Sequence, residues 1–80
     1  MLDNKLFINL YILSLDENYE LFIPVDEKVA NLVNMLDKSV FPFDNKKRGV
    51  LLNLYTGVIY NNNDIIRNTD IKNGTKLMLI

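Results

Sequence analysis

Few side chains in this chain could carry out chemistry. The 80 residues contain no histidine and no cysteine, so the usual general bases, thiol nucleophiles and thiolate metal ligands are missing from the sequence. Two pairs of adjacent acids remain, Asp16 with Glu17 and Asp26 with Glu27. The first pair falls in a predicted turn and the second at a predicted helix start, where carboxylates have structural roles. We therefore predict no catalytic residue, no metal site and no cofactor, and we expect the protein not to be an enzyme.

The densest charged run is Lys46-Lys47-Arg48. Basic runs can bind phosphate groups, acidic lipids or nucleic acid. Three charges make a weak site, however, and the nearby Asp44 offsets part of their field. A net charge of −1 and a pI of about 5.2 also argue against a nucleic-acid-binding protein. A solvated loop is the favoured interpretation, while docking through this loop stays open as an alternative.

The composition is that of a small globular domain. Hydrophobic residues make up 49% and charged residues 24% of the chain, which is typical of folded rather than disordered proteins. The length allows one core, so we predict a single domain over residues 1–80. No stretch approaches the roughly 20 apolar residues of a membrane span, and the first residues lack the order of a signal peptide. We expect a cytoplasmic location without membrane insertion.

The clearest periodicity lies between Asp26 and Ser39, where the spacing predicts a helix with one buried face. The apolar stripe comprises Val29, Leu32, Val33, Leu36 and Val40, and the polar side comprises Lys28, Asn31, Asn34 and Lys38. Asp26 is predicted to accept from free N–H groups of the first turn. A helix of this length is marginal alone in water, so it must pack on an apolar sheet.

Alternating patterns on both sides of this helix predict that sheet. Residues 6–14 and 19–23 alternate as strands, with a turn at Asp16-Glu17-Asn18 and an end at Pro24. After the helix, residues 50–55 and 58–60 are predicted to form a second hairpin around Thr56-Gly57. A single helical turn at 65–67 and a last strand at 76–80 complete a predicted sheet of about five strands.

Strand alternation also predicts which residues point away from the helix. If the aliphatic set of the first strand faces the core, the residues between them face outward. By that parity the outward apolar residues are Phe7, Tyr11, Leu13, Phe22, Leu51, Tyr55 and Met78, followed by Ile80, with the polar Asn9 and Asn53 among them. An antiparallel sheet that faces water normally shows polar residues there. We therefore predict that this apolar patch is a partner interface.

A hairpin, a crossing helix and later strands that return to the same sheet predict an α+β fold of the β-grasp type. The tail from Ile71 to Leu79 resembles the isoleucine, polar-Gly-polar turn and alternating leucine strand that close many ubiquitin-like domains. Together with Leu21-Phe22-Ile23-Pro24 before the helix, the chain is similar to the YukD/EsaB family of bacterial ubiquitin-like proteins.

The resemblance implies an accessory cytoplasmic component of a type VII (WXG-type) secretion system in a Gram-positive bacterium. It implies docking on the membrane-bound secretion machinery, including its ATPase. A stand-alone regulatory or structural β-grasp protein that self-associates through the same sheet face is the alternative. Ubiquitin itself is conjugated through a flexible Gly-Gly tail, whereas Leu79 and Ile80 are predicted to lie in the final strand. A non-conjugating binding module is therefore expected.

Overall fold

The computed structural model describes residues 4–40 and 49–80. Within these ranges the chain forms β1 (Lys5–Ile12), β2 (Glu17–Pro24), α1 (Val29–Val40), β3 (Leu51–Asn53), a 3₁₀ turn (Ile66–Asn68) and β4 (Thr75–Leu79). The sheet has the order β2-β1-β4-β3, and β4 runs parallel to β1 between two antiparallel pairs. The predicted β-grasp fold, with its mixed sheet and one main helix, is confirmed.

The sheet has four strands in the described ranges rather than about five. Residues 58–60 were predicted to be a strand, but Ile59 makes only an isolated bridge to Leu52. The reason lies in the turn before it, where Gly57 has a φ of 76° and its N–H donates to the Asn53 carbonyl at 2.8 Å. The chain therefore reverses tightly, and two hydrogen bonds flank the single bridge, from the Asn53 N–H to the Val58 carbonyl at 2.9 Å and from the Tyr60 N–H to the Leu51 carbonyl at 3.0 Å.

The first hairpin turns earlier than the sequence predicted. Ile12 pairs with Glu17, so residues 13–16 form the turn and Glu17 already belongs to β2. Asp16 takes the left-handed conformation that closes this turn, with a φ of 51°. Aspartate tolerates that conformation better than most residues because its short side chain can bond locally. Leu13 consequently lies in the turn and not in β1.

The helix begins at Val29 rather than at Asp26. The N–H groups of its first two residues donate to the carbonyls of Asp64 and Asn62, at 2.8 and 3.0 Å. These carbonyls satisfy the N–H groups that Asp26 was predicted to cap. The Asp26 carboxylate instead accepts from Arg67 Nε at 2.8 Å. The helix start is thus capped by a distant loop, which the local sequence could not reveal.

The core lies between α1 and the sheet. The predicted helix stripe is buried at Val29, Leu32, Val33 and Leu36, and the side chain of Val40 lies outside the described part. The strands contribute Ile8, Leu10, Ile12, Ile23, Leu51, Leu77 and Leu79, the 3₁₀ turn adds Ile66, and the loops add Tyr60 and Ile71. The predicted polar side of the helix is exposed. No helix in the described ranges is long and apolar enough to cross a membrane.

Candidate functional site

The outward face is the side of the sheet opposite α1, and its side chains form three rows across the strands. Residues that pair between neighbouring strands share both the face and the level along the strands. The first row is Phe22 and Phe7, the middle row is Glu20, Asn9 and Lys76, and the third row is Asn18, Tyr11, Met78 and Leu52. Each row therefore has its own chemical character.

The first row is an aromatic pair. The rings of Phe7 and Phe22 lie with their centroids 5.5 Å apart and their planes tilted by 60°. Phe7 is partly buried, whereas 55% of Phe22 remains exposed. Tilted contacts of this kind favour the edge of one ring on the face of the other. The structure thus brings these two predicted residues together, with an open surface on β2.

The third row contains two more of the predicted residues, Tyr11 and Met78, which are paired in register. Both are partly buried. The Tyr11 hydroxyl donates to the Asp16 carboxylate at 2.7 Å, which fixes the ring over the hairpin turn. That hydrogen bond to a carboxylate raises the pKa of the Tyr11 hydroxyl above its usual value. The row therefore presents a fixed aromatic ring beside a flexible thioether.

The prediction that Leu51 faces outward is wrong. Leu51 pairs with the buried Leu79 and is itself fully buried, and Asn53 is likewise buried at 2% exposure. Leu52 pairs with Met78 and takes the outward position. The sequence Leu51-Leu52 has no alternation, so its parity could be fixed only by the pairing of β3 with β4.

The remaining two predicted residues lie in turns, outside the three rows. Leu13 is 49% exposed in the β1–β2 turn, and its N–H donates to the Leu79 carbonyl at 3.2 Å. Tyr55 is 66% exposed in the turn after β3. Its N–H donates to Asn53 Oδ1 at 2.8 Å, which ties the turn to the buried amide. Neither side chain belongs to a strand position of the outward face.

Sequence reasoning missed a cluster at the β3 edge. Ile59 bridges to Leu52, and Leu52 pairs with Met78, so the three side chains share the outward face. We name Leu52, Ile59 and Met78 the β3 cluster. Ile59 is 64% exposed. The sequence predicts a short strand at Ile59 but does not show which face of the sheet this residue lies on. The available signal was the Thr56-Gly57 turn, which brings the residues on either side of it together.

The middle row is polar and divides the outward face. Glu20 and Lys76 are exposed, and Asn9 lies between them. An open cavity of about 490 Å³ runs along this row and is lined by Asn9, Tyr11, Asn18, Glu20, Leu54, Lys76 and Leu77. The continuous apolar patch that parity predicted is therefore two apolar areas separated by a charged band.

A buried polar network lies behind β3. The Tyr60 hydroxyl accepts from Asn53 Nδ2 at 2.9 Å and donates to the Asp70 carboxylate. Asn53 Oδ1 accepts from the N–H of Tyr55 at 2.8 Å. Burial, together with the hydrogen bond to Asp70, raises the pKa of Tyr60 to about 12, and the Tyr60 hydroxyl lowers the pKa of Asp70. This network holds the turn after β3 against the segment that leads into β4.

The acidic pairs accept hydrogen bonds from nearby side chains. Asp16 accepts from Tyr11, and Glu17 accepts from the Tyr19 hydroxyl, a bond that raises the pKa of Tyr19. The hydrogen bond from Arg67 lowers the pKa of Asp26. No group of three or more potential metal ligands occurs in the described residues. The basic run at 46–48 lies outside the described residues, so the favoured solvated loop and the alternative docking surface both stay predictions.

No protein-family model and no curated protein matches the chain. Solved structures do match it. A structure described as molecular mimicry of SUMO in DNA repair has a TM-score of 0.74 at 19% identity, with 96% of this chain and 91% of that chain covered. An N-terminal ubiquitin-like domain solved in solution has the same TM-score and identity, with 96% and 74% covered.

A third similar structure is a chain of the MycP5-free ESX-5 inner membrane complex, with a TM-score of 0.76 at 12% identity. The match covers 96% of this chain and 21% of that one. At these identities the similarity concerns the fold alone. The order of the sheet and the position of the helix agree with that similarity. The chain therefore has the ubiquitin-like β-grasp fold.

Proposed function

We propose that the chain is a ubiquitin-like protein-binding module that is neither an enzyme nor conjugated to other proteins. The β3 cluster carries this proposal. Its three apolar side chains lie on the water-facing side of the sheet, and Ile59 keeps 64% of its surface exposed. Polar residues are expected at such positions, whereas grouped apolar side chains are typical of binding surfaces. Tyr11 beside Met78 adds an aromatic anchor of the kind that is enriched in interfaces.

The partner we propose is a membrane-bound secretion machinery of type VII, including its ATPase, with this chain as a cytoplasmic accessory component. The sequence resemblance to the YukD/EsaB family supplies the pathway. The chain of the ESX-5 inner membrane complex supports it, because a domain of the same fold occurs there within a membrane assembly. Docking would bury the β3 cluster and would need no change in covalent structure.

The test is site-specific cross-linking in the source organism. A photo-reactive amino acid at position 59 is expected to capture the secretion ATPase or a membrane subunit, identified by mass spectrometry. Ile59→Lys should remove co-purification with that machinery. Met35→Lys is the matched control, because Met35 is also exposed, at 48%, but lies on α1 and away from the outward face. Equal co-purification of both variants, or capture of no secretion component, would reject the proposal.

A second candidate function is that of a stand-alone regulatory or structural protein that self-associates through the outward face. The charged middle row favours it, because Glu20 and Lys76 lie at the same level on either side of Asn9. A purified protein that assembles without any secretion component would support this candidate.

A further inference from the structure

The middle row of the outward face has a charge order that complements itself. Glu20 lies on β2, Asn9 on β1 and Lys76 on β4, at one level along the strands. The row thus runs from a negative group to a positive group over three neighbouring strands, with a neutral amide at its centre. Glu20 and Lys76 are both exposed, so each charge is accessible to a molecule that covers the sheet.

We propose that a second copy of the same chain covers this face, packed sheet to sheet about a twofold axis that runs parallel to the strands over Asn9. In the second copy such an axis reverses the order of the strands across the sheet, but each residue keeps its position along the strand direction. It places Glu20 opposite Lys76 of the second copy and Lys76 opposite the other Glu20. Two ion pairs therefore form at once, as an isologous interface requires. The inference rests on the proposed function only in treating the outward face as a protein-binding surface.

The neighbouring rows fit the same axis. The Gly74 N–H donates to the Phe7 carbonyl at 2.8 Å, so Gly74 lies beside Phe7 at the start of β4. The axis places the exposed ring of Phe22 opposite this glycine of the second copy, where no side chain competes for space. Met78 of one copy faces Asn18 of the other, and the two Tyr11 side chains face each other. Aromatic and apolar groups thereby lie on both sides of the charged row and exclude water from it.

The charges also exclude the other simple arrangement. A twofold axis that runs across the strands, along the middle row, would place Glu20 on Glu20 and Lys76 on Lys76. Like charges that face each other in a contact repel and strongly disfavour that arrangement. Only the axis parallel to the strands combines opposite charges with the nearly aligned strand directions that are common in packed sheets. Self-association in this geometry covers β2, β1 and β4 and leaves Leu52 and Ile59 at the rim.

The experiment is a charge exchange measured by sedimentation equilibrium on the purified chain. Wild-type protein is expected to dimerise. Glu20→Lys and Lys76→Glu should each weaken the dimer by about tenfold or more, because each brings like charges together. An equimolar mixture of these two variants should associate again, since one chain then carries two lysines in the row and the other two glutamates. The double variant should likewise recover dimerisation.

Glu27→Lys and Lys28→Glu are the matched controls, because they exchange the same charges beside α1 and should leave the dimer unchanged. Circular dichroism should show the same folded spectrum for all variants. A monomeric wild type at high concentration, or a mixture that associates no better than its separate components, overturns the inference. Neither result contradicts the docking proposal, which is tested separately by cross-linking and substitution at Ile59. Loss of cross-linking at position 59 with an intact charge-dependent dimer would reject docking alone.

Discussion

Replacement of Tyr60 by phenylalanine tests the buried polar network with the removal of a single atom. Tyr60 is 6% exposed, and its ring packs in the core, so Tyr60→Phe preserves the apolar contacts. The change removes the hydroxyl that accepts from Asn53 Nδ2 at 2.9 Å and donates to Asp70. Asn53 is only 2% exposed and cannot turn its amide to water. The variant therefore removes the acceptor of this bond, and the buried Asn53 amide keeps only the Asp70 carboxylate as an acceptor within its network.

The expected loss follows from that broken hydrogen bond. A hydrogen bond contributes about 0.5–1.5 kcal/mol net, and the loss rises to about 1–3 kcal/mol where the Asn53 donor stays unpaired, whereas the exposed Asp70 carboxylate regains water. Total stability for 80 residues is on the order of 4–12 kcal/mol, so this loss is a substantial part of it. The melting temperature should fall by about 4–8 °C for each kcal/mol lost. Urea denaturation and calorimetry measure both quantities.

Tyr55→Phe is the matched control, because it removes the same hydroxyl from a ring that is 66% exposed. Its urea midpoint should remain close to that of the wild type. The reasoning is refuted if Tyr60→Phe and Tyr55→Phe have the same midpoint. An Asn53→Ala variant that destabilises while Tyr60→Phe does not would assign the effect to the amide contacts with the following turn, such as the bond from Tyr55 N–H.

The same network predicts a pH dependence at both ends of the scale. The folded state raises the pKa of Tyr60 to about 12, whereas the pKa of tyrosine in the unfolded chain is about 10. The contribution of the protonated Tyr60 hydroxyl to the free energy of unfolding is therefore complete below about pH 10 and is lost as the pH rises toward 12. Asp70 has a lowered pKa in the folded state, so its contribution is present above the unfolded value and is lost as the pH falls. Tyr60→Phe should flatten the alkaline part of the stability profile.

Three further outcomes are expected. Leu32→Ala should lower the free energy of unfolding by about 2–5 kcal/mol, since Leu32 is 1% exposed on the helix stripe, and an unchanged urea midpoint would contradict the packing of α1 on the sheet. Deletion of residues 79–80 should also lower the urea midpoint, because Leu79 is buried. Replacement of Tyr11 and Phe22 by polar residues should leave the protein folded but weaken its association by about tenfold or more, as measured by sedimentation.

The sequence predicts the β-grasp fold because periodicity is a local property. Helix spacing identified the buried stripe, and strand alternation identified the core side of β1. The start of α1 escaped prediction because its caps are the carbonyls of Asp64 and Asn62, which lie more than thirty residues away along the chain. Local sequence rules predicted that Asp26 caps the start of α1, whereas in the structure backbone carbonyls of the loop before the 3₁₀ turn accept from its first N–H groups. A contact of this kind depends on tertiary structure alone.

Face membership was predictable only where a strand alternates. Phe7 and Tyr11 were assigned to the outward face correctly, because aliphatic residues recur at every second position of β1 from Leu6 to Ile12. The three-residue β3 begins with two leucines, and the partner strand β4 decides which of them is buried. The burial of Leu51 and the outward position of Leu52 therefore follow from pairing with Leu79 and Met78. The sequence of a short strand without alternation therefore does not show which of its residues face the core.

Alternation also says nothing about which residues share a row. Asn9 and Lys76 meet only because β4 returns parallel to β1, although 66 residues lie between them in the sequence. That register turns a face with many apolar residues into apolar rows on either side of a charged one. A wholly apolar ligand laid over this face would strip water from Glu20 and Lys76 without replacing it, which is costly for charged groups. Any molecule that covers the whole face must therefore offer a cation near β2 and an anion near β4.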